Sequence, residues 1–219
     1  MRRLGWLLVD NRVSGQRRAA GQRTLANRYN CEMRIYLPLA VSDLFEPHLY
    51  SRNAWQGSAD FCQLWGIDPL DSEQAEDLAM TMSAMSCLQG KVTGYPGRIV
   101  AALDVNPQEL GAENAPGVFA VKSGFDWERL VSLHVDSSDN LELCAQVRTQ
   151  LPSRLAAAWS RGDFSDTRGE MPENGGNNLS EAGSAQLELW EELAAEPLSW
   201  FDASELDYLR RSLAENTAP

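Results

Sequence analysis

The chain of 219 residues carries a formal net charge of −12, divided unevenly: residues 1–32 hold seven arginines against Asp10 and Glu32, a net of +5, and residues 33–219 hold 12 basic and 29 acidic side chains, a net of −17. So acidic a body argues against DNA, RNA and anionic membrane as direct partners, because their phosphates would be repelled; solubility is its first explanation, and a basic protein partner is compatible with it. Hydrophobic residues make up 43% of the chain and no apolar run nears the ~20 residues that span a bilayer, so the composition predicts a soluble globular protein with one core.

Residues 1–32 admit three readings. A secretory leader needs an apolar stretch of about 7–15 residues, whereas the run Leu4 to Val9 is ended by Asp10. A nucleic-acid-binding arm suits the arginines, but they follow no helical stripe. The third reading, an over-extended start with Met33 as initiator, is the one expected here, with 1–32 disordered or untranslated.

The stretch Met33-Arg34-Ile35-Tyr36-Leu37-Pro38 then predicts a strand covered on both faces, since Pro38 leaves no length for a helix. Ser42 caps a short helix carrying Leu44, Phe45 and Leu49, or a helix starts at Pro47. Residues 51–58 read as a polar loop holding Trp55, and Phe61, Cys62, Leu64 and Trp65 as a second strand ended by Gly66. The clearest helix runs from Asp71 or Ser72 to Gly90, with acids in its first turns and Leu78, Met82 and Met85 on one face. Gly90, Gly94 and Gly97 follow that helix instead of preceding one, so they form a turn and no phosphate loop.

Further strands are expected at Arg98–Leu103, Val118–Val121 and Val131–Asp136, with a loop across Asn106 to Gly117 and a single turn at Trp127–Leu130. Asp139 and Glu142 have capping-box spacing for a helix bearing Cys144, Val147 and Leu151, continued past Pro152 by Leu155 and Trp159. Residues 161–183 turn to Gly, Asn, Ser, Asp and Glu and read as a flexible linker. Leu187, Trp190 and Leu193 resume a helix, Leu198–Phe201 form an edge strand with Trp200 as interface candidate, and Asp202 with Glu205 caps a final helix through Leu206, Leu209 and Leu213.

The expected fold is therefore a single α/β (α+β) domain with a mixed sheet of five or six strands flanked by helices. Residues 33–160 form its core, and a C-terminal helix–strand–helix at 184–219 returns to that core. The opening strand, the helix from Glu73 to Leu88, the strand from Arg98 to Asp104, the His-Val-Asp ending at His134–Asp136 and the close at Leu198–Leu209 together resemble a group of small α/β proteins of actinobacteria, a domain of unknown function. That resemblance supports Met33 as the start and a cytoplasmic protein, and it transfers no catalytic residue.

Cys31, Cys62, Cys87 and Cys144 form no C-x-x-C pair, which points to core thiols in a reducing, cytoplasmic setting; neither a metal site nor a cofactor motif is expected. The chemical candidates are His134 and Asp136. Two apart on a strand, they share a face at its C-terminal end, where open α/β sheets bind ligands, and a carboxylate-oriented histidine can act as general base or begin a metal site. A strand-end aspartate also commonly caps the next helix. The leading functional reading is a non-enzymatic binding or regulatory module with an acidic surface; the alternative is a small hydrolase or metal-assisted enzyme using His134 and Asp136.

Overall fold

The computed structural model describes residues 32–89, 95–150 and 181–215, which belong to one compact unit, Cys31–Pro219. The expectations placed on 1–31, on Gly90 and Gly94, on Leu151, Leu155 and Trp159, on 161–180 and on the Leu187 side chain lie outside the described residues.

Two strands set the frame. β1 (Met33–Leu39) and β4 (Ile99–Val105) pair antiparallel along their full lengths, from Met33 opposite Val105 to Leu39 opposite Ile99. Every residue of β4 but Asp104 is buried, as expected of a near-continuous apolar run in the middle of a sheet. β3 (Asn53–Trp55), β6 (Val118–Val121) and β5 (Leu110–Ala115) extend the sheet on the β1 side, while β8 (Leu130–Val135) and β9 (Ser199–Asp202) extend it beyond β4. The order is β5-β6-β3-β1-β4-β8-β9 with antiparallel neighbours throughout. A two-stranded ribbon joins β2 (His48–Leu49) to β7 (Phe125–Asp126).

The expected mixed sheet of five or six strands is thus an antiparallel sheet of seven, with a second small sheet. Of the two missed strands, β5 is half-exposed and β3 has only three residues. β5 alternates Gly111, Glu113 and other poor strand formers, and β3 hid in a polar stretch although Trp55 is buried and donates to Ser86 Oγ at 2.9 Å.

Helices cover both faces. Phe61 to Trp65, expected as a strand, lies in α1 (Ala59–Trp65). Ser58 Oγ accepts from Phe61 N at 3.1 Å, and Gly66 closes the helix in the left-handed region at φ 68°, so two caps outweigh the β-prone composition. α2 (Ser72–Ser86) starts where expected: Asp71 accepts from Gln74 N at 3.1 Å, and Ala75, Ala79, Met82 and Met85 face inward. In place of a helix from Ser42 stands a 3-10 turn, Val41–Phe45, and Leu49 sits in β2. The expected Asp139–Glu142 box is replaced by a 3-10 turn, Ser138–Asn140, leading into α3 (Leu141–Gln150). α4 (Glu181–Ala195) takes the last three residues of the expected linker. α5 (Leu206–Glu215) follows the Asp202–Glu205 capping box.

One face of the sheet carries Tyr36, Trp55, Val100 and Ala102 against Phe61, Ala75, Ala79 and Met82. The other carries Ile35, Leu37, Leu103 and Leu133 against Leu44, Leu49, Leu209 and Leu213. A third cluster, Met85, Leu88, Cys144, Val147 and Leu193, joins α2, α3 and α4. At roughly 25 cal/mol per Å² of apolar area, these three clusters supply the main stabilisation.

Candidate functional site

His134 and Asp136 lie at the C-terminal end of β8 as expected, yet they serve different partners. Asp136 is buried and meets Arg98, which stands just before β4 and is 1% exposed. Arg98 donates from Nε to Oδ2 at 2.9 Å and from its second terminal nitrogen to Oδ1 at 2.7 Å, and its backbone N–H reaches Oδ2 at 2.6 Å. Cys144 Sγ and Asn140 Nδ2 add contacts to the same carboxylate at 3.1 and 3.5 Å. Burial opposes ionisation, but the Arg98 guanidinium outweighs it and holds the carboxyl below its ordinary pKa. The same carboxylate holds the Cys144 thiol up at about 12, burial being the larger cause.

Arg98 also reaches outward. Its terminal nitrogens donate to the carbonyls of Leu193 at 2.8 Å and Glu196 at 3.1 Å, at the C-terminal end of α4. A cation there satisfies orphan carbonyls and complements the helix dipole. Arg98 and Asp136 therefore clamp α4 to the centre of the sheet. Sequence reading missed Arg98; its only signal is an arginine directly preceding a wholly apolar strand.

His134 turns to a different neighbour. Its Nε2 and Ser132 Oγ are hydrogen-bonded at 3.0 Å, and no hydrogen bond joins it to Asp136 among the described residues. Burial, then the charge of Arg34, lowers the imidazole pKa, so the ring is neutral near pH 7. Arg34 is itself paired with Asp104 at 2.6 Å. Ser132 is 3% exposed and sits beside a register shift between β4 and β8, but on a strand and not on the strained turn that presents a nucleophile. Among the described residues no three His, Cys, Asp or Glu side chains converge on a possible metal position, and no helix is long and apolar enough to cross a membrane.

A cavity of about 430 Å³ opens at the far end of β1, lined by Arg52, Ser86, Cys87, Tyr95 and Arg148 among others. Its cations are engaged: Arg52 grips Asp43 through two nitrogens at 2.6 and 2.7 Å, and Arg148 donates to the Pro96 and Cys87 carbonyls, each at 2.9 Å. Cys87 donates to the Ile99 carbonyl at 3.2 Å, and burial pushes its thiol up to about 11, far from a reactive thiolate. An anion entering here would have to displace these bonds.

Trp200 on β9 lies opposite His134 and is 59% exposed.

Residues 33–166 match the model of a family of unknown function, DUF6912. The chain belongs to this family. Comparison with curated proteins and with solved structures gives no match. The DUF6912 match includes Arg98, Ser132, His134 and Asp136 but stops short of α4, β9 and α5, although β9 completes the same sheet.

Proposed function

We propose that this DUF6912 protein works by binding, as a cytoplasmic module whose acidic surface docks a basic protein partner, without turnover of a substrate. The observation that carries this reading is the position of Asp136. The acid nearest in sequence to His134 has both oxygens on Arg98, and among the described residues the imidazole is hydrogen-bonded to Ser132 and to no carboxylate. The net −17 of residues 33–219 supplies the electrostatic preference for a basic partner. Three free thiols, Cys62, Cys87 and Cys144, suit a reducing compartment.

Affinity capture from a bacterial lysate on the immobilised full-length protein tests the reading. A basic protein should be retained at about 0.05 M salt and released by about 0.5 M, where the screening length falls below about 5 Å. Retention should be unchanged by His134→Ala. Recovery of no basic protein at either salt concentration overturns it.

The second reading, a small hydrolase or metal-assisted enzyme centred on His134 and Asp136, draws support from the Ser132–His134 hydrogen bond and from the neutrality of the imidazole, which fit a general base. Hydrolysis of a chromogenic ester, abolished by both Ser132→Ala and His134→Ala, would favour it over the binding reading.

A further inference from the structure

The sheet has two ends, and they differ. At one end β5 is broken against β6 by two register shifts, between Leu110 and Glu113 and between Glu113 and Ala115; bulges of this kind blunt an edge against further pairing. At the other end β9 pairs with β8 over four consecutive residues without a shift, and no strand covers its outer side among the described residues. It carries neither lysine nor proline, the usual protective residues of an open edge.

The backbone orientation of β9 follows from two hydrogen bonds. The Asp202 N–H goes to the Glu205 carboxylate at 2.8 Å, not to β8. The Asp136 N–H goes to the Arg98 carbonyl at 3.1 Å, on the β4 side of β8. Antiparallel ladders alternate, so Leu133 and Phe201 exchange the bonds between β8 and β9, and Trp200 projects its own N–H and carbonyl from the open edge. Its indole is exposed on the same face as Asp202, while Phe201 turns the other way and packs on the core.

In the segment that carries this edge Glu188, Glu191, Glu192, Glu196, Asp202, Glu205 and Asp207 are all exposed. The basic residues of the same segment are Arg210 and Arg211, and Arg210 is held by Asp207, by the Leu44 carbonyl and over the Trp127 ring. A second copy of the chain would bring the same carboxylates to the contact and be repelled.

We propose, building on the binding reading above, that the basic partner docks at β9 as an extended segment with arginine or lysine at alternate positions, adding one strand to the sheet. The alternation follows from the period of a strand. One side chain of the added segment lies over the Trp200 ring, where a cation is favoured, and the next on that face meets Asp202. The intervening residues face the Phe201 side and are best β-branched.

Fluorescence anisotropy on the full-length protein at low salt tests this, with a short labelled peptide alternating arginine and valine. The control peptide is methylated at every backbone nitrogen, which keeps the charge and removes the strand donors whichever way the segment runs. The alternating peptide should bind about tenfold more tightly than the control, and Trp200→Ala, which keeps the N–H, should weaken it by about tenfold through lost stacking. Trp200→Pro should weaken it further while leaving the β8 pairing intact. Should that variant melt early, amide exchange decides in its place: the Trp200 N–H of the unmodified protein should slow by about tenfold or more on saturation with peptide. Equal binding of both peptides, with no change at the Trp200 amide, overturns docking at β9 and leaves a charge-driven binding module standing. Failure of the alternating peptide to bind overturns docking at β9, and the same failure together with recovery of no basic protein in the capture experiment overturns both. Dimerisation that Trp200→Pro abolishes would assign the edge to a second copy and overturn the proposal.

Discussion

Asp136→Asn keeps the shape of the side chain and removes its charge. The guanidinium it leaves behind is 1% exposed and carries two carboxylate bonds at 2.7 and 2.9 Å, so water cannot take the carboxylate's place. Breaking a buried pair on one side costs roughly 3–5 kcal/mol, a large share of the ~5–15 kcal/mol that holds a domain folded. Urea unfolding should register that loss as a lower midpoint at unchanged slope. The paired substitution Arg98→Met with Asp136→Leu removes both charges, and should recover most of the loss. It should not restore the end of α4, because the Leu193 and Glu196 carbonyls lose their donor; amide exchange in α4 and β9 should stay fast. Acid should act in the same sense. The Asp136 pKa lies below its unfolded value near 4, so its contribution is present above about pH 4 and is lost as pH falls through the folded value. A single Asp136→Asn variant that loses less than about 1 kcal/mol would refute the clamp.

His134 should titrate below its ordinary 6.5, since burial and Arg34 both disfavour the imidazolium; proton NMR of the ring gives the midpoint, and a value at or above 6.5 contradicts the geometry. The stability linked to it is present above about pH 6.5 and is lost as pH falls through the lower folded value. Arg34→Gln should move that midpoint part of the way back up. Gly117→Ala should destabilise by about 2–3 kcal/mol in thermal melts, because φ there is +78° and the added carbon would lie 2.5 Å from the Phe61 ring and 2.9 Å from the Gln56 carbonyl.

The elements legible in the sequence were those whose local signals agreed. Asp71 and the acids after it gave the start of α2, and the apolar runs at Ile35 and Ile99 gave the two central strands. Asp202 and Glu205 gave the cap of α5. Where signals conflicted, the reading followed composition and failed: Phe61 and Trp65 are common strand residues, but Ser58 and Gly66 bracket them as helix caps. β3 escaped because three residues in a polar stretch show no period, and their strand character comes from the neighbours β1 and β6. The candidate site divides in the same way. Alternation along β8 correctly put His134 and Asp136 at one strand end, yet it is blind to partners distant in the chain.

Side-chain order alone determined an acidic body, the two apolar strands at its centre, the caps of α2 and α5 and a last strand bearing Trp200. Only the tertiary structure decided that Asp136 belongs to Arg98 and not to His134, and that the strand expected at the edge, β9, pairs with β8. The physical reason is distance along the chain: periodicity and capping act within a few residues. Arg98 finds its aspartate 38 positions away and its helix end 95 and 98 positions away, contacts that exist only once the core has brought those segments together.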